Sequence, residues 1–268
     1  MKITGMRILI TGAGGGIGQQ LALALAKKGG ILLLADRQVD LLEKLRGEIA
    51  ASGGKASVVA ADLLLEDVPE QLAAAAIREL GEVDILINLA GIMSFGLFQN
   101  ETAQSIERLW RVNVIAPMQL VRTLLPHMLA RGTGRIVNVG SVFGSIAFPF
   151  FANYSANKFA VRGFSQALRR ELEGSGVGVT YVAPRYTRTP INAGPVSRMS
   201  EALKMNMDDP DVVAANIVRA IEKDAKEYYI GFPESLFVRI NSILPGLVDG
   251  SLRKQAVQMR DYATGKNN

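Results

Sequence analysis

The sequence predicts an α/β fold, a doubly wound parallel sheet of about seven strands with helices on both faces. Three observations carry that prediction. Short runs rich in Ile, Val and Leu alternate with longer segments of helical period, and the runs are apolar at successive positions, as strands covered on both faces must be. A glycine cluster directly follows the first run. Together these features describe a Rossmann-type sheet.

The first strand is expected at Arg7–Thr11, followed by a helix over Gly16–Lys28. Strands at Ile31–Ala35, Ala56–Ala60 and Asp84–Asn88 alternate with helices at Val39–Ser52 and Glu66–Leu80. A long helical pattern, Thr102–Ala130, contains Pro117 and Pro126, which predict a start, kink or end within it. The strands Arg135–Val139 and Val177–Val182 flank a helix at Ala152–Glu173, and a helix at Pro210–Asp224 precedes a weak last strand, Glu227–Ile230. Residues 184–209 show no clear element and are read as a substrate loop. Residues 232–268 form an amphipathic tail in which Leu236, Ile240, Ile243 and Leu247 recur at helical spacing.

Composition narrows the chemistry. At 268 residues, with 49% hydrophobic side chains and no linker-like tract, the chain 1–268 reads as a single domain. It has no cysteine and one histidine, His127, so disulfides, zinc and cysteine nucleophiles are not expected and no metal site is predicted. No apolar run reaches the ~18 residues of a membrane span, and no export signal is read, so the expected location is cytoplasmic. The net charge of +5 comes from scattered cations, which argues against a nucleic-acid partner. The tail has Arg239, Arg253 and Lys254 beside its apolar stripe, so contact with a membrane surface is the lesser alternative to packing on the domain or a partner subunit.

The cluster Thr11-Gly12-Ala13-Gly14-Gly15-Gly16-Ile17-Gly18 links a strand to a helix. Glycines there let the backbone turn sharply and approach a diphosphate, which then faces unpaired N–H groups and the positive end of the helix dipole. Asp36, at the end of the second strand, is placed to accept hydrogen bonds from adenosine ribose hydroxyls and to repel a 2′-phosphate. NAD is therefore the expected cofactor. Arg37 is a cation able to pair with such a phosphate, so NADP stays open. Asp62 and Asn88-Leu89-Ala90-Gly91 stand at other carboxyl strand ends.

Tyr154 and Lys158 are four apart on a predicted helix and share a face. A second pair, Tyr262 and Lys266, has the same spacing but no strand-end serine before it and reads as chance. Ser141 follows the strand Arg135–Val139 at the edge where the glycine cluster also lies.

The order of these motifs resembles the short-chain dehydrogenase/reductase family over at least Met6 to Thr189. The resemblance implies hydride transfer between nicotinamide and a carbonyl or carbinol carbon, with Asn113, Ser141, Tyr154 and Lys158 as the catalytic set. It implies cofactor binding by Gly12, Gly14, Gly16, Ile17, Gly18, Asp36, Arg37, Asp62, Leu63, Asn88, Ala90, Gly91, Tyr154, Lys158, Pro184, Thr187 and Thr189. Lowering a tyrosine by about three pKa units needs roughly 4 kcal/mol, which one ammonium ~4 Å away supplies at an effective dielectric of ~20, so Lys158 is expected to acidify Tyr154. Ser141 is expected to polarise the substrate oxygen, and Asn113 to hold a helix bend and a relay water.

Two departures from the family's pattern are Leu89, expected to pack inward, and Arg185, expected to turn to solvent or else to place a cation near the nicotinamide or the substrate entrance. Phe143, Phe148, Phe150, Phe151, Met93, Phe95 and Phe98 suggest an apolar pocket. The function read from the sequence is thus interconversion of an apolar secondary alcohol and ketone, in a homodimer or homotetramer built, by the resemblance, through the helices Thr102–Ala130 and Ala152–Glu173. The alternative is a non-catalytic nicotinamide-binding redox sensor or scaffold.

Overall fold

Strands of three to seven mostly apolar residues need cover on both faces, and the chain supplies it by returning a helix after nearly every strand. The computed structural model describes residues 1–266. Its parallel sheet has the order β3-β2-β1-β4-β5-β6-β7, with β1 Arg7–Thr11, β2 Ile31–Asp36, β3 Lys55–Ala60, β4 Ile85–Asn88, β5 Gly134–Val139, β6 Val177–Ala183 and β7 Glu227–Tyr229. The helices are α1 Gly16–Lys27, α2 Val39–Ala51, α3 Val68–Leu80, α4 Ala103–Trp110, α5 Ala116–Arg131, α6 Ala152–Glu171, α7 Pro195–Ala202, α8 Pro210–Glu222, α9 Glu234–Ile243 and α10 Pro245–Ala263.

The sheet divides two cores by strict alternation. Ile8 and Ile10 of β1 pack with Leu21 and Leu25 of α1 and Ile217 and Ile221 of α8. Leu9 faces the other way, into a core with Leu72 of α3, Leu120 and Leu124 of α5 and Leu168 of α6. Leu89 packs against the first core, as expected. Because β1 pairs with both β2 and β4, the order in which strands are added reverses there, and the carboxyl ends of β1 and β4 open a crevice.

Three expectations need correction. The long helix is in two pieces, and Pro117 opens the second as expected, but Pro126 neither starts nor ends a helix. The pieces meet at a π-helical turn, Arg111–Ile115, while Pro117 lies in the first turn of α5 and Pro126 sits inside α5. The carbonyl that Pro126 cannot bond belongs to exposed Arg122.

The stretch 184–209 is not structureless: it contains α7, whose Val196 and Met199 pack with Phe143 and Phe151 in a third cluster above the sheet's carboxyl edge. The tail is two helices meeting at Pro245. Val238, Val248 and Met259 bury into the third cluster, but Leu236, Ile243 and Leu247 are exposed, so most of the expected stripe faces outward. Positions 267–268 of that tail lie outside the described residues. No helix among the described residues is long and apolar enough to cross a membrane.

Candidate active site

The glycine loop is narrow because backbone meets backbone. Gly12 has φ +72°, and a Cβ there would come within 2.7 Å of the Ala90 Cα. A Cβ on Gly18 would collide with the Gly12 carbonyl oxygen, and one on Gly16 would lie 2.8 Å from the Thr189 methyl. Thr11 closes the floor, its hydroxyl accepting the N–H groups of Leu89 at 3.2 Å and Ala90 at 3.3 Å.

Helix α1 begins at Gly15 with no side-chain cap. Its first N–H groups therefore remain available to an anion, and the empty Cβ positions make room for one.

Asp36 flanks this loop. One of its carboxylate oxygens accepts the Gly14 N–H and the other the Gln38 N–H, each at 3.1 Å. A crevice of about 580 Å³ runs past Asp36, Arg37, Asp62 and Leu63 to Ala90 and Gly91. It continues to Ser141, Tyr154, Lys158, Pro184, Thr187 and Thr189. Asn88 does not line it. That side chain lies below, donating to Asn138 at 2.9 Å, while Asn138 donates to Ser165 at 2.9 Å.

Helix α6 carries Tyr154 and Lys158 on one face. The Lys158 Nζ is 5.5 Å from the centre of the Tyr154 ring and donates to the Val139 carbonyl at 3.4 Å. Ser141 is close enough to the Tyr154 hydroxyl to favour its ionisation. Its own position is set twice over: its Oγ accepts the Phe143 N–H at 3.2 Å, and the Tyr181 hydroxyl accepts its N–H at 3.3 Å and donates to its carbonyl at 3.0 Å.

Asn113 sits in the π-helical turn. It clamps Ile92 by accepting its N–H and donating to its carbonyl, both at 2.9 Å, and donates to Asn157 at 3.2 Å. Asn113 therefore stands behind the crevice wall. The absent side chain of Gly91 leaves open the space between Asn113 and Lys158, since a Cβ there would lie 3.4 Å from Asn113 Oδ1 and 3.7 Å from Lys158 Nζ.

The electrostatics of the protein groups run against the sequence expectation. Burial pushes the Tyr154 hydroxyl up to about 12, with the nearby Ser141 working the other way. The same burial pushes Lys158 down to about 8. Desolvation is the largest influence on both groups, so at neutral pH the phenol keeps its proton.

Arg185 lines the crevice beside Pro184 and Tyr186, and its side chain is not turned to solvent. Its guanidinium holds Asp208 through two hydrogen bonds of 3.0 and 2.8 Å and reaches Glu234 of α9 at 2.8 Å. It thus ties the far end of the 184–209 segment to the tail. The aromatic residues also sort themselves: Met93 and Phe143 reach the crevice, while Phe148 and Phe151 pack against Phe143 at centroid distances of 4.6 and 4.9 Å. Phe98 is exposed, as is His127.

Tyr181, Tyr186 and Asn157 are the site residues that the sequence pattern did not reveal. Each joins through tertiary contacts that leave no spacing to read.

Comparison with known proteins agrees with this architecture. A family model described as short chain dehydrogenase matches residues 6–199. The chain is 34% identical over 254 residues to a ketoacyl reductase, HetN, of Nostoc sp., covering 92% of this chain and 88% of that protein. It is 35% identical over 222 residues to the oxidoreductase UcpA of Salmonella typhimurium, covering 82% and 81%.

Among solved structures, a short-chain dehydrogenase/reductase of Burkholderia phymatum in complex with NAD superposes with a TM-score of 0.85 at 26% identity, covering 92% of this chain and 96% of that one. A short-chain dehydrogenase of Sphingobium yanoikuyae in complex with NADPH gives 0.79 at 30% identity, with 90% and 94% covered. The chain belongs to the short-chain dehydrogenase/reductase family of oxidoreductases.

Proposed function

We propose that the protein interconverts an apolar secondary alcohol and its ketone using a nicotinamide dinucleotide, with Tyr154 as the general acid and base. The observation that carries this reading is the meeting of Ser141, Tyr154 and Lys158 in one crevice with the glycine loop. That crevice suits the cofactor: the cradle between Gly12 and Gly18 lacks the Cβ atoms that would fill it. The N–H groups there would hold the diphosphate, and Asp36 the adenosine ribose, which favours NAD over NADP. Bound, the nicotinamide supplies or accepts the hydride.

The side chains do the rest. In the reducing direction Tyr154 gives its proton to the carbonyl oxygen as negative charge develops there, and Ser141 donates a second hydrogen bond to that oxygen. Lys158 then stabilises the phenolate left behind, and in the oxidising direction the same phenolate takes the proton back. Met93 and Phe143 supply apolar walls. The name of the Nostoc relative, a ketoacyl reductase, supports a carbonyl substrate. The exposed Met118 and Leu129 of α5 and Phe159 of α6 support a homo-oligomer through those helices.

The test is Tyr154→Phe. Turnover followed by NADH absorbance should fall by about a hundredfold or more, while NADH binding measured by fluorescence titration stays close to wild type. A variant with undiminished turnover removes the proposal; a wild-type protein that binds NADH but turns over no alcohol or ketone in a broad screen favours the sensor reading.

A further inference from the structure

Tyr186 lines the same crevice, and no motif draws attention to it. The residue is 9% exposed, and its hydroxyl is buried with no hydrogen-bond partner among the described residues. Its ring stands edge-on to Phe143 at 5.7 Å, and Phe143 stands edge-on to Tyr154 at 5.6 Å. The main chain on either side is fixed: the Tyr186 carbonyl accepts the Asp208 N–H at 2.9 Å, the Asp208 carbonyl accepts the Arg188 N–H at 3.0 Å, and Arg185 grips Asp208. The side chain is thus held in place by packing while its polar end has nothing to bond.

An unpaired buried hydroxyl destabilises a fold, and one that lines a crevice is explained by a ligand that bonds it. Burial and the neighbouring Tyr154 both push its ionisation upward, so it remains an O–H donor over the working pH range. The reacting oxygen is not the acceptor it lacks. A carbonyl oxygen has two lone pairs, and Tyr154 and Ser141 already claim both.

We propose that Tyr186 donates a hydrogen bond to a second oxygen of the substrate, which makes the preferred class carbonyl compounds with another acceptor near the reacting carbon, such as 3-oxo esters and thioesters. This rests on the reaction proposed above. Met199, Leu203, Met205 and Met207 pack in the same cluster, and their side chains are flexible enough to let such a substrate reach the hydroxyl.

The test compares ethyl 3-oxohexanoate with 4-nonanone, which has the same chain length and carbonyl position without the ester oxygens. Wild-type kcat/KM should favour the ester, and Tyr186→Phe should reduce that preference about tenfold or more. A second arm uses Tyr154→Phe protein loaded with NADH and reads binding from nicotinamide fluorescence. There, adding Tyr186→Phe should weaken the ester about tenfold and 4-nonanone less. The melting temperature of Tyr186→Phe should equal or exceed that of wild type, since no internal bond is lost.

An unchanged preference in both arms overturns the inference, as does a melting temperature lower by several degrees. Absence of turnover with both compounds counts against the proposed reaction, and the binding arm then decides on Tyr186.

Discussion

The Lys158 ammonium lies 5.5 Å from the centre of the Tyr154 ring and is held by the Val139 carbonyl at the end of β5, with no carboxylate bonded to it among the described residues. A buried cation without a counter-ion costs stability, and this one is retained beside the phenol whose anion it would stabilise.

That cost is measurable. The folded state holds Lys158 at about 8 against an ordinary 10.5, so between these pH values the unfolded chain binds the extra proton. Below about pH 8 the penalty is fully present, and stability should rise as pH climbs toward 10.5. Lys158→Met at pH 7 should therefore resist urea better than wild type, by at most ~3 kcal/mol, with the gap closing near pH 10. Its turnover should fall sharply. Urea titrations at pH 7 and pH 10 check the sign.

Asp36 serves the loop and the proposed ribose at once. Asp36→Asn keeps an acceptor for the Gly14 N–H but removes the charge that repels a 2′-phosphate, with Arg37 adjacent. The preference for NADH over NADPH should drop by about tenfold or more, read from the two dissociation constants by fluorescence titration.

Arg185 binds two carboxylates with its side chain only 15% exposed. Arg185→Met should destabilise the fold by about 1–3 kcal/mol, less than for a fully buried pair because solvent screens Glu234 in part. It should also speed proteolytic cleavage within 190–207. Arg185→Lys should restore little, since an ammonium cannot reproduce the two-bond grip on Asp208. Urea unfolding and timed proteolysis test both.

At Gly18, helix propensity and geometry make opposite predictions. Alanine is the better helix former by about 1 kcal/mol, yet its Cβ would strike the Gly12 carbonyl oxygen. Gly18→Ala should lower the melting temperature and weaken NADH binding at least about tenfold, as calorimetry would show.

The strands were legible because burial on both faces writes itself into consecutive apolar residues: β1 lies where the pattern places it, and β4 starts one residue later, at Ile85. The glycine loop, Ser141, Tyr154 and Lys158 were legible because each depends on position relative to an element. The ion pairs of Arg185 were not legible because its partners, Asp208 and Glu234, are distant in sequence and charge alone does not show where a side chain turns. The sign of the Tyr154 shift was misjudged for a related reason: attraction between two charges follows from spacing, but their desolvation follows from everything packed around them. Tyr186 was invisible because an unbonded hydroxyl leaves no pattern.

The close approach of Gly12 to Ala90 separates two kinds of change the protein can undergo. The width of the diphosphate seat is set by main chain against main chain, which mutation can obstruct but not reshape. Asp36 and Arg37, by contrast, are ordinary side chains at a strand end. On the proposed reading, a lineage could exchange one dinucleotide for the other at those two positions while leaving the seat untouched.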